Sequence, residues 1–149
     1  MRLKDKVVLI TGASRGLGRA MAIAFAKEGA SVAVNYVKNR EQAELICEEI
    51  VESGGKAVPV QADVSNADEV KAMVDIVEDV YGNIDILVNN AGLFVPTNLI
   101  EDPPSNIDRL YEVNIKGVIY TVQAVIGKMK ERKYGRILNI SSIAGLGTA

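Results

Sequence analysis

Gly12, Gly16 and Gly18 follow an apolar run, with Arg15 among them, in the stretch LITGASRGLG. Glycines that close a strand suit a phosphate-cradling turn. Gly12 can take the positive φ of a tight turn. Gly16 lets a pyrophosphate approach the backbone, and Gly18 lets the next helix lie close to the strands. The N-terminus of that helix would offer unpaired N–H groups and a positive dipole end to an anion. The spacing is G-x-x-x-G-x-G rather than the common G-x-G-x-x-G fingerprint. On its own it also fits a flexible connection.

Other residues extend the pattern. Asp63, in ADVS, can accept a hydrogen bond from an adenine amino group or cap a helix. The run NNAG, with Asn90, Ala91 and Gly92, suits close contact between backbone and a flat ligand. Asn114 lies on the apolar stripe of a helix among Leu110, Val113, Gly117 and Thr121. A buried amide there needs partners, either as a satisfied core residue or as a group holding a water or proton path. Ser141 and Ser142 end the last strand, in NISSIAG. The chain has no histidine, so neither serine can belong to a Ser-His pair. A hydroxyl that hydrogen-bonds a carbonyl or alcohol oxygen fits better.

The second strand ends in VNYVKNR, where no carboxylate stands before Glu41. An NAD-preferring site usually has Asp or Glu about twenty residues after the glycines, to bond the ribose hydroxyls. Its absence, with Arg15, Lys38 and Arg40 near, favours NADP(H) over NAD(H). Arg15 can pair with a ribose 2′-phosphate by charge-assisted hydrogen bonds.

These residues need a frame. Apolar runs at 7–11, 31–36, 57–62, 84–90 and 136–141 read as strands. Their near-continuous apolarity suits strands covered on both faces. Helices are expected at 15–29, ending at Gly29; from an Asn39 cap with Gln42 three residues on, to Ser53; and at 66–81. A fourth runs from an Asp102 cap, with Pro103 in its first turn, to about Arg132. Alternating strands and helices predict an α/β fold, a doubly wound parallel sheet with right-handed crossovers.

Bulk properties exclude other classes. The chain has 149 residues and a net charge of −2, with its seventeen basic residues scattered, so nucleic-acid binding is not expected. No run approaches membrane-spanning length and the N-terminus does not read as a signal peptide, so a cytoplasmic protein is expected. One cysteine, Cys47, and no histidine argue against a transition-metal site.

Together, TGASRGLG, ADV, NNAG, EVNIKG and GRILNISSIAG resemble the short-chain dehydrogenase/reductase family, in order and across the whole chain. The resemblance implies a Rossmann-like fold and a nicotinamide cofactor, with residues 1–149 as a dinucleotide-binding domain. It sets Gly12, Ser14, Arg15, Gly16, Leu17 and Gly18 against the cofactor, with Tyr36, Asp63, Val64, Asn90, Ala91 and Gly92. It makes Ser142 the substrate-orienting hydroxyl and Asn114 part of a proton relay. Within the family, the chain looks most like 3-oxoacyl-acyl-carrier-protein reductases and glucose dehydrogenase-like members. A small carbonyl or alcohol substrate and a homotetramer are implied. The family's proton donor is a tyrosine in a Tyr-x-x-x-Lys motif downstream of the serine, which this sequence does not contain. The expectation is therefore an N-terminal portion of a longer enzyme, truncated after the fifth strand and poorly soluble or oligomeric in isolation.

Overall fold

Val, Ile and Leu fill the strands because β-branched and bulky apolar side chains stack well on a pleated surface buried on both sides. The computed structural model describes residues 1–94 and 100–142. Its strands are β1 (Val7–Ile10), β2 (Ser31–Tyr36), β3 (Lys56–Gln61), β4 (Ile86–Asn89) and β5 (Arg136–Asn139). Its helices are α1 (Gly16–Lys27), α2 (Arg40–Glu52), α3 (Ala67–Tyr81), α4 (Pro104–Tyr111) and α5 (Gly117–Glu131). The sheet is parallel, in the order β3-β2-β1-β4-β5. It is the doubly wound α/β arrangement expected from the alternation of strands and helices.

Side chains alternate across the sheet and divide the core in two. Val8, Ile10, Val32, Val34, Ile86 and Val88 share one cluster with Ala22, Ala26, Ala43 and Ile46 of α1 and α2. Leu9, Ala33, Val60 and Leu87 share the other with Met73, Val77, Val125 and Met129 of α3 and α5. Every residue of β1 and β4 is buried. The two outer strands differ: β5 is largely exposed and β3 only partly buried. Coverage on both faces therefore holds for the central strands, which have neighbours on each side.

Helix starts follow local chemistry, with two corrections. Asn66 caps α3, its side chain accepting from the Asp68 and Glu69 N–H groups. Asn39 makes no such bond; its backbone (φ −91°, ψ 67°) is outside the extended region that brings a cap side chain over the first turn. Asp102 is not the cap of the fourth helix, which begins one residue later than expected. Pro103 holds that place in an extended conformation (φ −67°, ψ 148°), as a residue preceding a proline must, and Pro104 starts the helix. That helix is also not continuous: a π-helical turn, Glu112–Lys116, separates α4 from α5.

An ion pair fastens α5 to the amino end of the sheet. Arg132 Nη1 donates to Asp85 Oδ1 (2.9 Å) and its Nη2 to the Ile84 carbonyl (2.8 Å). The second Asp85 oxygen accepts from the Val7 N–H (3.1 Å). Asp85 is 7% exposed. Removing its partner would strand a buried carboxylate. Arg132→Met is expected to cost about 3 kcal/mol, read as a lower urea midpoint at an unchanged slope.

Candidate functional site

A cleft of about 710 Å³ opens where β1 to β4 end. Because α1, which follows β1, and α5, which follows the adjacent β4, pack on opposite faces of the sheet, a crevice opens at the carboxyl ends. Gly12, Ser14, Arg15, Gly16, Leu17 and Gly18 line it from the first loop. Tyr36, Val37, Lys38 and Asn39 line it beyond β2, Asp63 and Val64 beyond β3, and Asn90, Ala91, Gly92 and Leu93 beyond β4. Arg109 and Val113 line it from the fourth helical segment. All twelve residues that the sequence groups around a cofactor thus share one cavity.

The glycines make the loop possible. Gly12 has φ +61°, and a Cβ there would stand 2.8 Å from the Ala91 Cα. A Cβ on Gly18 would stand 2.6 Å from both the Asn90 Nδ2 and the Gly12 carbonyl oxygen. Real Cβ atoms do not approach that closely, so α1 can start beside the β4 loop only without side chains at these positions. Arg15 is the residue before α1, in extended backbone. No acidic residue occupies the first turn of α1 to oppose an anion at its positive end.

Three polar side chains knit the floor of the cleft. Thr11 Oγ1 accepts from the Asn90 and Ala91 N–H groups at 3.0 and 2.9 Å. Asn90 Nδ2 donates to the Thr11 and Gly12 carbonyls at 2.9 and 3.0 Å. Asn35, fully buried, accepts from the Gly12 N–H at 3.1 Å and donates to the Ala62 and Val60 carbonyls at 3.0 and 3.3 Å. It thereby ties the glycine loop to the end of β3. Sequence reasoning assigned no such role to Asn35 or Thr11. The available signal was an amide inside an otherwise apolar strand, since a buried amide must find partners.

Three further residues singled out from the sequence lie outside the cleft lining. Arg40 does not line the cleft; its Nε donates to Glu44 Oε1 at 2.7 Å, along α2. Asn114 is exposed rather than buried, and outside the cleft lining. Its amide pairs with the backbone of Leu93, accepting from N–H at 2.7 Å and donating to the carbonyl at 2.8 Å. It lies in the π-helical turn, whose wider winding breaks the helical stripe read from the sequence. Ser142 is exposed, three residues past the end of β5, and does not line the cleft.

Asp63 does not cap α3. Its Oδ1 accepts from the Ser65 N–H (3.0 Å) and hydroxyl (2.6 Å), and its Oδ2 from Arg109 Nη2 (2.9 Å). Partial burial works against its charge, but the bonds from Ser65 and Arg109 outweigh it and hold the carboxyl below its ordinary range. A lowered value means that this contribution to stability is present near neutrality and lost as the pH falls through it.

Asn35→Leu would leave the Gly12 N–H and the Val60 and Ala62 carbonyls without these partners. It is expected to lower unfolding stability by about 3 kcal/mol, measured by urea titration.

Known proteins share this framework. The family described as short chain dehydrogenase matches residues 6–149. The 3-oxoacyl-acyl-carrier-protein reductase of Synechocystis sp. is 42% identical over 144 residues, covering 97% of this chain and 58% of that protein. The enzyme of the same description from Staphylococcus aureus is 42% identical over 140 residues. A double mutant of a Serratia marcescens short-chain dehydrogenase/reductase superposes with a TM-score of 0.89 at 32% identity, covering 97% of this chain and 58% of that one. The chain therefore spans a little over half the length of the curated relatives it matches. Among the described residues no helix is long and apolar enough to cross a membrane. With its parallel sheet, glycine loop and motif order, the chain belongs to the short-chain dehydrogenase family.

Proposed function

We propose that this chain is the cofactor-holding part of an NADP(H)-dependent carbonyl reductase. Family membership implies NAD(P) binding. The observation that carries the finer reading is the charge pattern of the cleft. Arg15 and Lys38 line it near the ends of β1 and β2, with the neutral Asn39 beside them. Asp63 is the one carboxylate among the described lining residues, and it follows β3. A ribose 2′-phosphate near Tyr36 would thus meet cations and no opposing carboxylate.

The cavity fits a dinucleotide. Its volume lies in the range of small-molecule sites. The bare Cα atoms of Gly12 and Gly18 allow the backbone cradle, and α1 begins where a pyrophosphate would sit. Gly12, Ser14, Gly16 and Leu17 would hold the pyrophosphate; Asn90, Ala91 and Gly92 would border its nicotinamide side. A bound nicotinamide would supply the hydride. The chain's own residues bind, orient and restrain. Thr11 and Asn90 fix the β4 loop against β1. Asn114 holds Leu93 by its backbone, which keeps the edge of the cleft in place. Ser142 would donate a hydrogen bond to the substrate oxygen. The similarity to 3-oxoacyl-acyl-carrier-protein reductases supports a 3-oxoacyl thioester as substrate.

The test is oxidation of NADPH against NADH by the full-length protein carrying this chain, with a 3-oxoacyl thioester. NADPH is expected to be preferred. Arg15→Glu should cut kcat/KM for NADPH about tenfold or more, the worth of one charge-assisted hydrogen bond, and leave NADH nearly unchanged. A clear preference for NADH would overturn the cofactor reading. Tight NADPH binding with no turnover of any ketone or alcohol would leave a binding module instead of an enzyme.

A further inference from the structure

The cleft contains a third cation, Arg109 of α4, which no sequence motif marks. It is not free to meet a phosphate. Nη2 donates to Asp63 Oδ2 at 2.9 Å and Nη1 to the Ser65 hydroxyl at 2.8 Å. The Ser65 hydroxyl in turn donates to Asp63 Oδ1 at 2.6 Å, which closes a ring of three side chains. Glu112 stands further off, 3.9 Å from Nη1.

Two consequences follow for a ligand. The first is a count. A carboxylate has about four lone-pair sites. Oδ1 of Asp63 uses two on Ser65 and Oδ2 uses one on Arg109. One acceptor site remains, on Oδ2. The second concerns charge. Unpaired, Asp63 would set a negative charge in a cleft suited to a polyphosphate. Paired with Arg109, it is an acceptor with its charge offset, while Arg15 and Lys38 keep the other end positive. A forked guanidinium can engage Asp63 and Ser65 together, which a lysine ammonium cannot do with the same fixed geometry. Because none of α4's residues is buried, polar ties weigh more in holding this helix over the cleft.

We propose that Arg109 is a positioning residue for base recognition: it fixes the Asp63 carboxylate with a single acceptor site for an exocyclic amino group, and so makes the cleft select adenine. This rests on the dinucleotide reading above. Arg109 acts through Asp63 and need not touch the ligand.

The test is equilibrium binding, followed by nicotinamide fluorescence, to the full-length protein. The probes are NADPH and nicotinamide hypoxanthine dinucleotide phosphate, reduced form, which has a 6-oxo group in place of the amino group. The unmodified protein should favour NADPH about tenfold or more, as expected for a hydrogen bond to a charged group. Arg109→Met should bring the two probes to within about twofold, because Asp63, then held only through Oδ1 by Ser65, loses the bond that fixes Oδ2. Arg109→Lys, which keeps the charge, should lose at least about threefold of the preference, and it decides the matter if Arg109→Met does not fold. A variant that weakens both probes equally and keeps the preference would overturn the proposal, leaving Arg109 a merely structural tie. Equal binding of the two probes by the unmodified protein would overturn it too. Failure of the unmodified protein to bind either probe would instead bring down the dinucleotide reading, and this proposal with it.

Discussion

The loop leaving β1 and the loop leaving β4 must pass within van der Waals contact at the carboxyl end of the sheet. Everything in the cleft depends on that close passage. It leaves no room for a Cβ at Gly18 and strains one at Gly12. It also buries polar backbone groups that the strand ladders do not reach. Thr11 satisfies those on the β4 side, Asn90 those on the β1 side, and Asn35 those between the glycine loop and the end of β3. The floor is stiff because each of these side chains bridges two loops.

The walls are arranged by charge. Cations follow β1 and β2, an acceptor with a paired charge follows β3, and one amide with small residues follows β4. The positive end of α1 adds to the first group. A ligand with phosphates at its middle, a base at one end and a flat ring at the other would match this order. The fourth helical segment contributes from above, through Arg109 on α4 and through Asn114, which grips the Leu93 backbone from the π-helical turn.

Much of this is legible from residue types alone. The alternation of apolar runs with amphipathic stretches suffices for the doubly wound parallel sheet. The departures have local causes. Pro103 is extended because Pro104 follows it, so the fourth helix starts late. Asn114 reads as a buried amide on a continuous helix, whereas a π-helical turn interrupts the periodicity on which that reading depends. Composition reports preference, and such features are set by neighbours.

Gly12, Gly16 and Gly18, the missing carboxylate after Tyr36, and the alternating elements are properties of short segments, and short-range sterics and hydrophobic periodicity determine them. The sequence by itself therefore determined the fold class, and its family resemblance named twelve of the residues that meet in one cleft. Tertiary structure alone decided how they are held. Asp63 and Arg109 lie 46 residues apart, Gly12 and Asn35 lie 23 apart, and Thr11 and Ala91 lie 80 apart. Hydrogen bonds of that range form only where packed strands bring loop ends together, so no spacing along the chain reveals them.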